Sequence, residues 1–383
     1  MMQAVYIHEF AIACALGEDA QTVRTNLISS TTVAVRGRAC LGNGRFVPAG
    51  VLPLELSGRD SRCNLFADHC LKALGGAVAD HMQQTGPLRF AVIIGTSTSG
   101  VREGGAAFDA FQQRGHWPDE FRFSAQELGD TAAHVARCVG ARGPVYGIST
   151  ACTSGAKALA SAARLVQAGL CDAALAGGID SLCDLTLNGF AALGSLSEAV
   201  CNPFSKNRCG LNLGEGGALF VLSARPSPVR LAGWGESVDG HHISAPDPEG
   251  KGAMAAMERA LAHASLRWRE IGYLNLHGTA TKLNDLMEAR AVSRIFGAEL
   301  PCSSTKPMTG HMLGAAGACE AAFSIMALQT GRLPAHIWDG EFDPEMPPIR
   351  LVAGTGEASD ARRAMSCSYA FGGNNIALIL ETE

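Results

Sequence analysis

The chain has 383 residues, of which 47% are hydrophobic and 17% charged, and its formal net charge is -5. This length and apolar content can bury a large core, arranged as two domains or as two closely packed halves. The acidic balance disfavours a general nucleic-acid-binding protein, because recognition of phosphates normally requires a basic face.

Short apolar stretches ending in glycine alternate along the chain with longer alanine-rich stretches. Buried strands are predicted at residues 89–100, 172–181, 216–224, 271–280 and 364–380. Helical spacing of apolar residues predicts helices at residues 61–80, 154–169, 252–265, 285–296 and 314–330. This alternation indicates an α/β protein. The prolines of segment 223–237 mark a crossing between two halves, residues 1–225 and 226–383.

The chain carries thirteen cysteines. An odd number of cysteines at irregular intervals is typical of reduced thiols in the cytoplasm. The N-terminal residues lack the basic region and continuous apolar stretch of a secretion signal, and no apolar run approaches membrane-spanning length. We therefore expect a cytoplasmic protein without a membrane span.

Two groups of cysteines raise the question of structural zinc. Cys63 and Cys70 flank His69, and Cys201 precedes Cys209. Neither group has the paired spacing of a zinc site. We interpret them as packing residues and predict no metal site.

Residues 147–169 place Cys152 where a strand-like stretch gives way to an alanine-rich helix. A helix N-terminus favours the reactive thiolate, and the small neighbours of Cys152 leave room for a substrate and for backbone donors. Free cysteine is also often a small buried hydrophobic residue. This segment alone leaves both interpretations open.

Two histidines in the second half lie in unusual surroundings. His277 ends a predicted strand, and His311 lies in a loop rich in glycine and alanine that opens a helix. Lys306 precedes His311 by five residues, and Glu320 follows it by nine. A single histidine or lysine is usually structural or solvated. Two histidines embedded in glycine, threonine and alanine indicate a site.

Five segments resemble the β-ketoacyl-acyl-carrier-protein synthases, the elongating condensing enzymes of fatty acid and polyketide synthesis. In chain order they are STACTSGAKAL around Cys152, PFSKNRCGLNLGEGGALFVL from residue 203, HGTATKLND from 277, STKPMTGHMLGAAGACEA from 304 and SYAFGGNNIALIL from 368. The resemblance implies a thiolase-like fold of two similar α/β halves, each with a mixed five-stranded sheet, in αβαβα layers. It also implies a dimer formed beside the nucleophile.

The resemblance assigns roles to the candidate residues. Cys152 matches the nucleophile that receives an acyl group from a carrier-protein thioester. His277 and His311 match the pair that promotes decarboxylation of malonyl-carrier protein. Lys306 and Glu320 match a charged pair that supports these histidines.

Three further residues match positions around the substrate. Thr279 and Thr281 match residues that touch the phosphopantetheine arm. Phe371 matches the gating phenylalanine, whose backbone N–H joins that of Cys152 in the oxyanion hole. The implied reaction is a ping-pong decarboxylative Claisen condensation on acyl carrier protein, without a metal or nucleotide cofactor.

The chemistry independently favours this set of residues. Attack of a thiolate on a thioester gives another thioester, so the acyl group stays activated for carbon–carbon bond formation. Loss of carbon dioxide from malonate places negative charge on a thioester oxygen. Two imidazole donors are most useful there, because they act on charge that develops in the transition state.

Other enzyme families that could be considered differ from this chain at the same residues. Thiolases use a second cysteine near the C-terminus, but Cys367 precedes SYAFGG, which is a different context. Initiating condensing enzymes pair one histidine with an asparagine, and no G-x-S-x-G motif of a serine hydrolase occurs. A non-catalytic chain-length factor is the alternative from another functional class. Such proteins usually lose the nucleophile, so retention of Cys152 favours an enzyme.

Four residues differ from those usual in the β-ketoacyl synthases, and we expect these differences to affect which acyl chain is accepted. Ser205 and Cys209 stand where many members have aspartates, Tyr369 where phenylalanine is common, and Asn374 where threonine is usual. Together with residues 178–197, these departures resemble the synthases of bacterial aryl-polyene clusters. We expect Tyr369 and Asn374 to lie beside the pocket.

The expected partners are acyl carrier protein and a second subunit, either another copy or a distinct homologue. Carrier proteins are acidic, so a docking surface should be locally basic. Arg62, Lys206 and Arg208 resemble the family's carrier-contacting residues. We predict that all three take part in docking.

Overall fold

A computed structural model describes residues 3–29, 35, 37–354 and 356–383. The strands are β1 (Tyr6–Cys14), β2 (Gly37–Cys40), β3 (Phe46–Ala49), β4 (Phe90–Gly95), β5 (Val145–Ile148), β6 (Ala173–Asp180), β7 (Gly216–Ser223), β8 (Val229–Val238), β9 (Tyr273–Asn275), β10 (Pro301–Ser303), β11 (Arg332–Leu333), β12 (Arg350–Leu351), β13 (Glu357–Ala358), β14 (Arg363–Tyr369) and β15 (Asn374–Thr382).

The α-helices lie between these strands. They are α1 (Ala20–Ser29), α2 (Arg62–Thr85), α3 (Val101–Arg114), α4 (Asp130–Val139), α5 (Ser154–Gln167), α6 (Asp184–Ala192), α7 (Lys251–Ala264), α8 (Lys282–Phe296), α9 (Lys306–Thr309) and α10 (Ala316–Thr330). Short 3-10 turns cover Pro87–Arg89, Phe123–Gln126, Trp268–Glu270 and Leu313–Ala315. In the described part of the chain, each helix is too short or too polar to cross a membrane.

The strands of the main sheet fall into two sets with the same pairing pattern. The first set runs β5-β4-β6-β7-β1 and the second β10-β9-β14-β15-β8, with β12 added at the outer edge. In each set the three outer strands are parallel, and the two strands nearest the junction are antiparallel. The sets meet where β1 pairs with β8 at Tyr6–Arg230 and Ile7–Val229. The chain therefore repeats one layout without an evident repeat in its sequence.

Helices cover both faces of each set of strands. Helices α2 and α4 pack on the outer face of the first set, and α7 packs on the second with α8 beside it. Helices α5 and α10 pack against each other and lie between the two sets. Residues 316–328 of α10 are buried all round, which suits a central helix. These layers confirm the predicted thiolase-like αβαβα fold, while the boundary between residues 225 and 226 stays a prediction.

The prediction of a single strand at residues 364–380 is wrong. Residues 364–380 form two antiparallel strands, β14 and β15. Gly372 and Gly373 between them have φ values of +85° and +75°. Such values suit glycine, which has no Cβ to clash, so the apolar run reverses direction there.

Close packing between α5 and the start of α10 depends on glycine. A Cβ on Gly155 would lie 2.8 Å from the carbonyl oxygen of Gly314 and 3.0 Å from the Cβ of Ala318. A Cβ on Gly178 in β6 would lie 2.9 Å from the Cα of Gly155. Backbone atoms cannot rotate away as a long side chain can, so only glycine fits at both positions.

We predict opposite effects for two glycine-to-alanine substitutions inside helices. Gly155→Ala overpacks the junction and should lower the free energy of unfolding by about 1–3 kcal/mol. Gly75→Ala in α2 meets no atom within 4 Å and should be neutral or stabilising by up to about 1 kcal/mol. Urea unfolding followed by circular dichroism compares the two midpoints. Equal midpoints for Gly155→Ala and the parent would contradict the close approach.

Candidate active site

A tight turn between β5 and α5 positions Cys152. Ala151 has φ of +53°, an unfavourable value for a residue with a side chain. The Ser154 hydroxyl donates to the Ala151 carbonyl at 2.6 Å and accepts from the Thr150 N–H at 2.9 Å. These bonds hold the turn, so Cys152 lies two residues before the first residue of α5.

The structure brings the predicted nucleophile and both predicted histidines together. His311 Nε2 lies 2.9 Å from Cys152 Sγ. The rings of His277 and His311 have centroids 5.3 Å apart and are nearly perpendicular, at 85°. All three side chains are buried. A thiol and two imidazoles from both halves of the chain therefore share one small volume.

Lys306 and Glu320 form a buried ion pair beside the histidines. Lys306 Nζ donates to Glu320 Oε1 at 2.6 Å and lies 3.5 Å from His277 Nδ1. An ammonium group can only donate, so His277 Nδ1 is the acceptor and the imidazole proton resides on Nε2. The lysine thus fixes the tautomer that presents an N–H from His277.

Both imidazoles are neutral near neutral pH. Burial, which disfavours charge, lowers the pKa of His277 and of His311 well below the usual value, and the Lys306 ammonium adds to both shifts. A lowered pKa means that the neutral form persists as pH falls through 6.5, the ordinary value for histidine. The site therefore offers uncharged N–H donors.

Cys152 differs from the expectation that its helix lowers the thiol pKa. Burial raises the pKa of Cys152 to about 12, with further increases from Asp180 and Glu320, although Lys306 acts in the opposite direction. The resting side chain is therefore a thiol. Its proton can pass directly to His311 Nε2 at 2.9 Å when the sulfur attacks an electrophile.

Two acidic residues of α8 support the His277 loop and were missed in the sequence analysis. Glu288 accepts the backbone N–H groups of His277 and Gly278, both at 2.7 Å. Asp285 accepts the Ala280 N–H at 3.1 Å. Burial raises the pKa of Glu288 to about 8 and that of Asp285 to about 6. Their three-residue spacing on an otherwise buried helix face was the available signal.

Asp180, at the end of β6, was also missed. Its Oδ1 accepts the hydroxyl groups of Thr96 at 2.6 Å and Thr98 at 2.7 Å. Its Oδ2 accepts the Gly314 N–H at 2.5 Å. Burial raises its pKa despite these bonds. One carboxyl group thus joins the loop after β4 to the turn that leads into α10.

Cys152, His277 and His311 line a cavity of about 480 Å³, whereas Lys306 and Glu320 lie outside its wall. It reaches several predicted binding residues as well, namely Thr279, Thr281, Tyr369 and Phe371. The hydroxyl oxygens of Thr279 and Thr281 lie 3.0 Å apart, and the rings of Phe371 and Phe190 have centroids 5.6 Å apart. The oxyanion role of the Phe371 N–H stays a prediction.

The residues that depart from the family pattern occupy different surroundings. Tyr369 lines the cavity, with its ring centroid 5.8 Å from that of His277. Cys209 lines it too, whereas Ser205 donates to Asp339 at 3.0 Å. Asn374 accepts from Lys157 at 2.8 Å and is not part of the cavity wall, although its neighbour Asn375 is.

Of the three predicted docking residues, Arg208 is buried and Arg62 is partly exposed. Arg62 binds both carboxylate oxygens of Glu215, at 2.6 and 2.7 Å, and thereby joins the start of α2 to residues just before β7. Arg208 is buried and paired with Asp343. The burial of Arg208 corrects its predicted docking role to a structural ion pair. A docking role for the partly exposed Arg62 stays a prediction. Lys206 remains exposed, 2.6 Å from Glu341.

The cysteines considered for zinc make separate contacts. Cys63 Sγ lies 3.7 Å from the Thr98 hydroxyl, and Cys70 Sγ lies 4.0 Å from the Gly217 carbonyl oxygen. His69 Nε2 bonds to the Glu18 carbonyl at 2.6 Å. All thirteen cysteines lie in the described part of the chain and are free thiols.

We predict that alkylation of Cys152 by iodoacetamide accelerates about tenfold per pH unit from pH 7 to about 9.5, because only the thiolate reacts. An unperturbed thiol would level off near pH ~9. Peptide mass mapping distinguishes the Cys152 adduct from adducts on exposed Cys40 and Cys209. A plateau near neutral pH would instead reveal a stabilised thiolate and contradict the buried-thiol state.

Comparison with known proteins supports one family. Models of the β-ketoacyl synthase N-terminal and C-terminal domains match residues 49–226 and 229–338. The 3-oxoacyl-[acyl-carrier-protein] synthase 2 of Staphylococcus aureus is 32% identical over 341 residues, covering 84% of each chain. A mitochondrial 3-oxoacyl-[acyl-carrier-protein] synthase of Arabidopsis thaliana is 38% identical over 269 residues, covering 65% of this chain and 58% of its own.

A solved structure extends the comparison to the whole chain. It is the ketosynthase (ApeO) in complex with its chain length factor (ApeC) from Xenorhabdus doucetiae. The match has a TM-score of 0.94 and 40% identity, and covers 100% of this chain and 98% of the other. With the cysteine and two histidines converging in one cavity, these similarities show that the chain belongs to the β-ketoacyl synthase family of acyltransferases.

Proposed function

We propose that the chain catalyses decarboxylative Claisen condensation of an acyl group on Cys152 with malonyl-acyl carrier protein, giving β-ketoacyl-acyl carrier protein in the cytoplasm. The observation that carries the proposal is the 2.9 Å contact between Cys152 Sγ and His311 Nε2, with His277 alongside. A nucleophile in contact with a proton acceptor suits acyl transfer, and the second imidazole suits enolate stabilisation.

The first half-reaction transfers the acyl group. Cys152 Sγ attacks the carbonyl of the incoming thioester while its proton passes to His311 Nε2. The tetrahedral oxyanion is bound by the backbone N–H groups of Cys152 and Phe371. Collapse of this intermediate breaks the bond to the carrier sulfur, which takes the proton and leaves as a thiol.

The second half-reaction forms the new carbon–carbon bond. Malonyl-carrier protein loses carbon dioxide, and the electron pair of the broken bond moves into an enolate. Once Cys152 is acylated, His311 no longer accepts its proton and takes the tautomer with N–H at Nε2. Neutral N–H donors of His277 and His311 then stabilise the enolate oxygen, and Lys306 keeps His277 in the donating tautomer. The enolate carbon attacks the acyl-Cys152 carbonyl, the bond to the cysteine sulfur breaks, and the departing thiolate takes up one proton from solvent through His311. Every step uses protein groups, substrate and solvent, without a metal or nucleotide cofactor.

The aromatic lining of the cavity suits a planar, conjugated acyl substrate. Tyr369, Phe190 and Phe371 contribute aromatic rings to its wall. Aromatic rings pack favourably against flat, unsaturated chains. On this basis, and from the departures at Ser205 and Cys209, we assign the chain to elongation of the aryl-polyene type.

A second subunit is part of the proposal. β5 pairs with β4 and forms one edge of the main sheet, and an edge strand offers free backbone groups for pairing. Cys152 follows four residues after β5 ends. A partner at this edge would lie close to the nucleophile. The solved complex of a ketosynthase with its chain length factor supports such a heterodimer.

We predict a covalent acyl adduct of one acyl group when the protein is mixed with a panel of acyl-loaded carrier proteins. Intact mass spectrometry should show the adduct on the parent and none on Cys152→Ala. His277→Ala should still accept the acyl group, because Cys152 and His311 remain. It should lose decarboxylation of malonyl-carrier protein by about 10²–10³-fold, because one oxyanion donor is gone.

The outcomes separate the catalytic and non-catalytic alternatives. An adduct that appears only after a chain-length-factor homologue is added would show a partner-dependent enzyme. No adduct under either condition, with the fold verified by circular dichroism, would favour a non-catalytic subunit and contradict the proposal. The donor that reacts best identifies the acyl chain.

We predict that Lys206→Glu raises KM for carrier-borne acyl substrate roughly tenfold without lowering activity on a small thioester. Lys206 is exposed, so reversing its charge should affect encounter with an acidic carrier. Glu341→Gln is the matched control, since it removes the ion-pair partner and keeps the lysine. Equal loss with both substrates would contradict a docking role.

A further inference from the structure

Helices α2 and α4 pack side by side on the outer face of the first half and present matching rows of polar residues. Asn64 and Asp68 lie four residues apart on α2, and Asp130, His134 and Cys138 are spaced by four on α4. Residues four apart lie on the same face of a helix. Asn64 Nδ2 donates to Asp130 Oδ2 at 2.8 Å, which fixes the register of the two rows.

One turn further along, three potential metal ligands converge. His134 Nε2 lies 2.7 Å from Asp68 Oδ1 and 3.5 Å from Cys138 Sγ. Cys138 Sγ lies 3.7 Å from Asp68 Oδ1. Imidazole nitrogen, thiolate sulfur and carboxylate oxygen are the three donor types that Zn²⁺ uses in proteins.

The ligand spacing fits a tetrahedral ion. With bonds of about 2.0 Å to nitrogen and oxygen and 2.3 Å to sulfur, ligands of one tetrahedron lie about 3.3–3.5 Å apart. The two distances that involve Cys138 Sγ, 3.5 and 3.7 Å, are already close to this value. The nitrogen-to-oxygen distance would open by a fraction of an ångström. An ion could therefore bind with small side-chain movements.

A second carboxylate orients the histidine. His134 Nδ1 lies 3.5 Å from Asp60 Oδ2, on the side of the ring opposite the cluster. Asp60 is held by Asn64 at 2.9 Å and by Arg122 at 3.1 Å. A carboxylate that accepts the Nδ1 proton leaves Nε2 free as a ligand, which is a common arrangement around protein-bound zinc.

We propose that Asp68, His134 and Cys138 form a binding site for a thiophilic divalent cation, with Zn²⁺ as the best match. Histidine and cysteine favour zinc over magnesium or calcium, which prefer oxygen ligands. Cys138 is exposed, and Asp68 and Cys138 line a surface cavity of about 790 Å³, so water can supply a fourth ligand. Cys138 releases its proton to solvent on binding. The ion joins α2 to α4 and acts as a structural clamp away from the reaction.

The test measures Co²⁺ binding in the Cys152→Ala protein after treatment with a chelator. This background is needed because Cys152, His277 and His311 also converge within 4.8 Å. We expect one equivalent of Co²⁺, a sulfur-to-cobalt charge-transfer band, and displacement by Zn²⁺. Adding Cys138→Ser should abolish the band, whereas adding Cys40→Ser, at another exposed cysteine, should leave it unchanged.

Two further variants separate ligands from the orienting residue. His134→Asn should remove tight binding. Asp60→Asn should keep the charge-transfer band and weaken binding by about 10–100-fold, because it removes only the partner of Nδ1. Zn²⁺ should raise Tm of the Cys152→Ala protein and leave that of the Cys138→Ser double variant unchanged. Absence of the band in the Cys152→Ala protein, or its persistence after Cys138→Ser, would overturn the proposal.

Discussion

The geometry of the site depends on one close approach of backbone, where the start of α5 meets the turn that leads into α10. Gly155 touches Gly314 at a distance that leaves no room for a Cβ. Asp180 then fixes the second segment by accepting the Gly314 N–H. His311 lies three residues before Gly314, and Cys152 three before Gly155. The two chain segments are held together close to the points where α5 and α10 begin. As a result, Cys152 Sγ and His311 Nε2 lie 2.9 Å apart.

Burial then sets the protonation states that the chemistry needs. The same loss of solvation raises the pKa of Cys152 and lowers those of the two histidines. A neutral thiol beside neutral imidazoles avoids isolated charge in the interior. The buried ion pair beside these groups, Lys306 with Glu320, is placed so that it selects a tautomer of His277. The N–H groups of the two histidines are already in place when negative charge develops on the substrate.

Local patterns in the sequence predicted the α/β alternation, whereas the layers and the roles of the convergent residues came from the resemblance of five short segments to one family. Alanine-rich helical spacing located α5 and α10, and the motif around each catalytic candidate lay next to a predicted strand or helix end. Arg208 was misplaced because its burial depends on Asp343, which lies 135 residues away. Asp180 was missed for a similar reason, since its partners come from the loop after β4 and from Gly314. Such partners become visible only when the chain is folded.

The repeated layout explains how one site can draw on both halves. Parallel strands β4 and β5 in the first set correspond in position to β9 and β10 in the second. The segment after β5 carries Cys152 into α5, and the segment after β10 carries Lys306 and His311 into α10.

The loops that follow corresponding strands in the two sets carry residues with different roles. Carboxyl ends of parallel strands gather at one edge of a sheet, where loops can vary without disturbing the core. After β4 the chain supplies Thr96 and Thr98 to hold Asp180, whereas after β9 it supplies His277. One half therefore provides Cys152 and its fixed turn, and the other provides His277, His311 and Lys306. Since neither half holds both sets, the α5–α10 contact that joins them is a condition for the chemistry as well as for the fold.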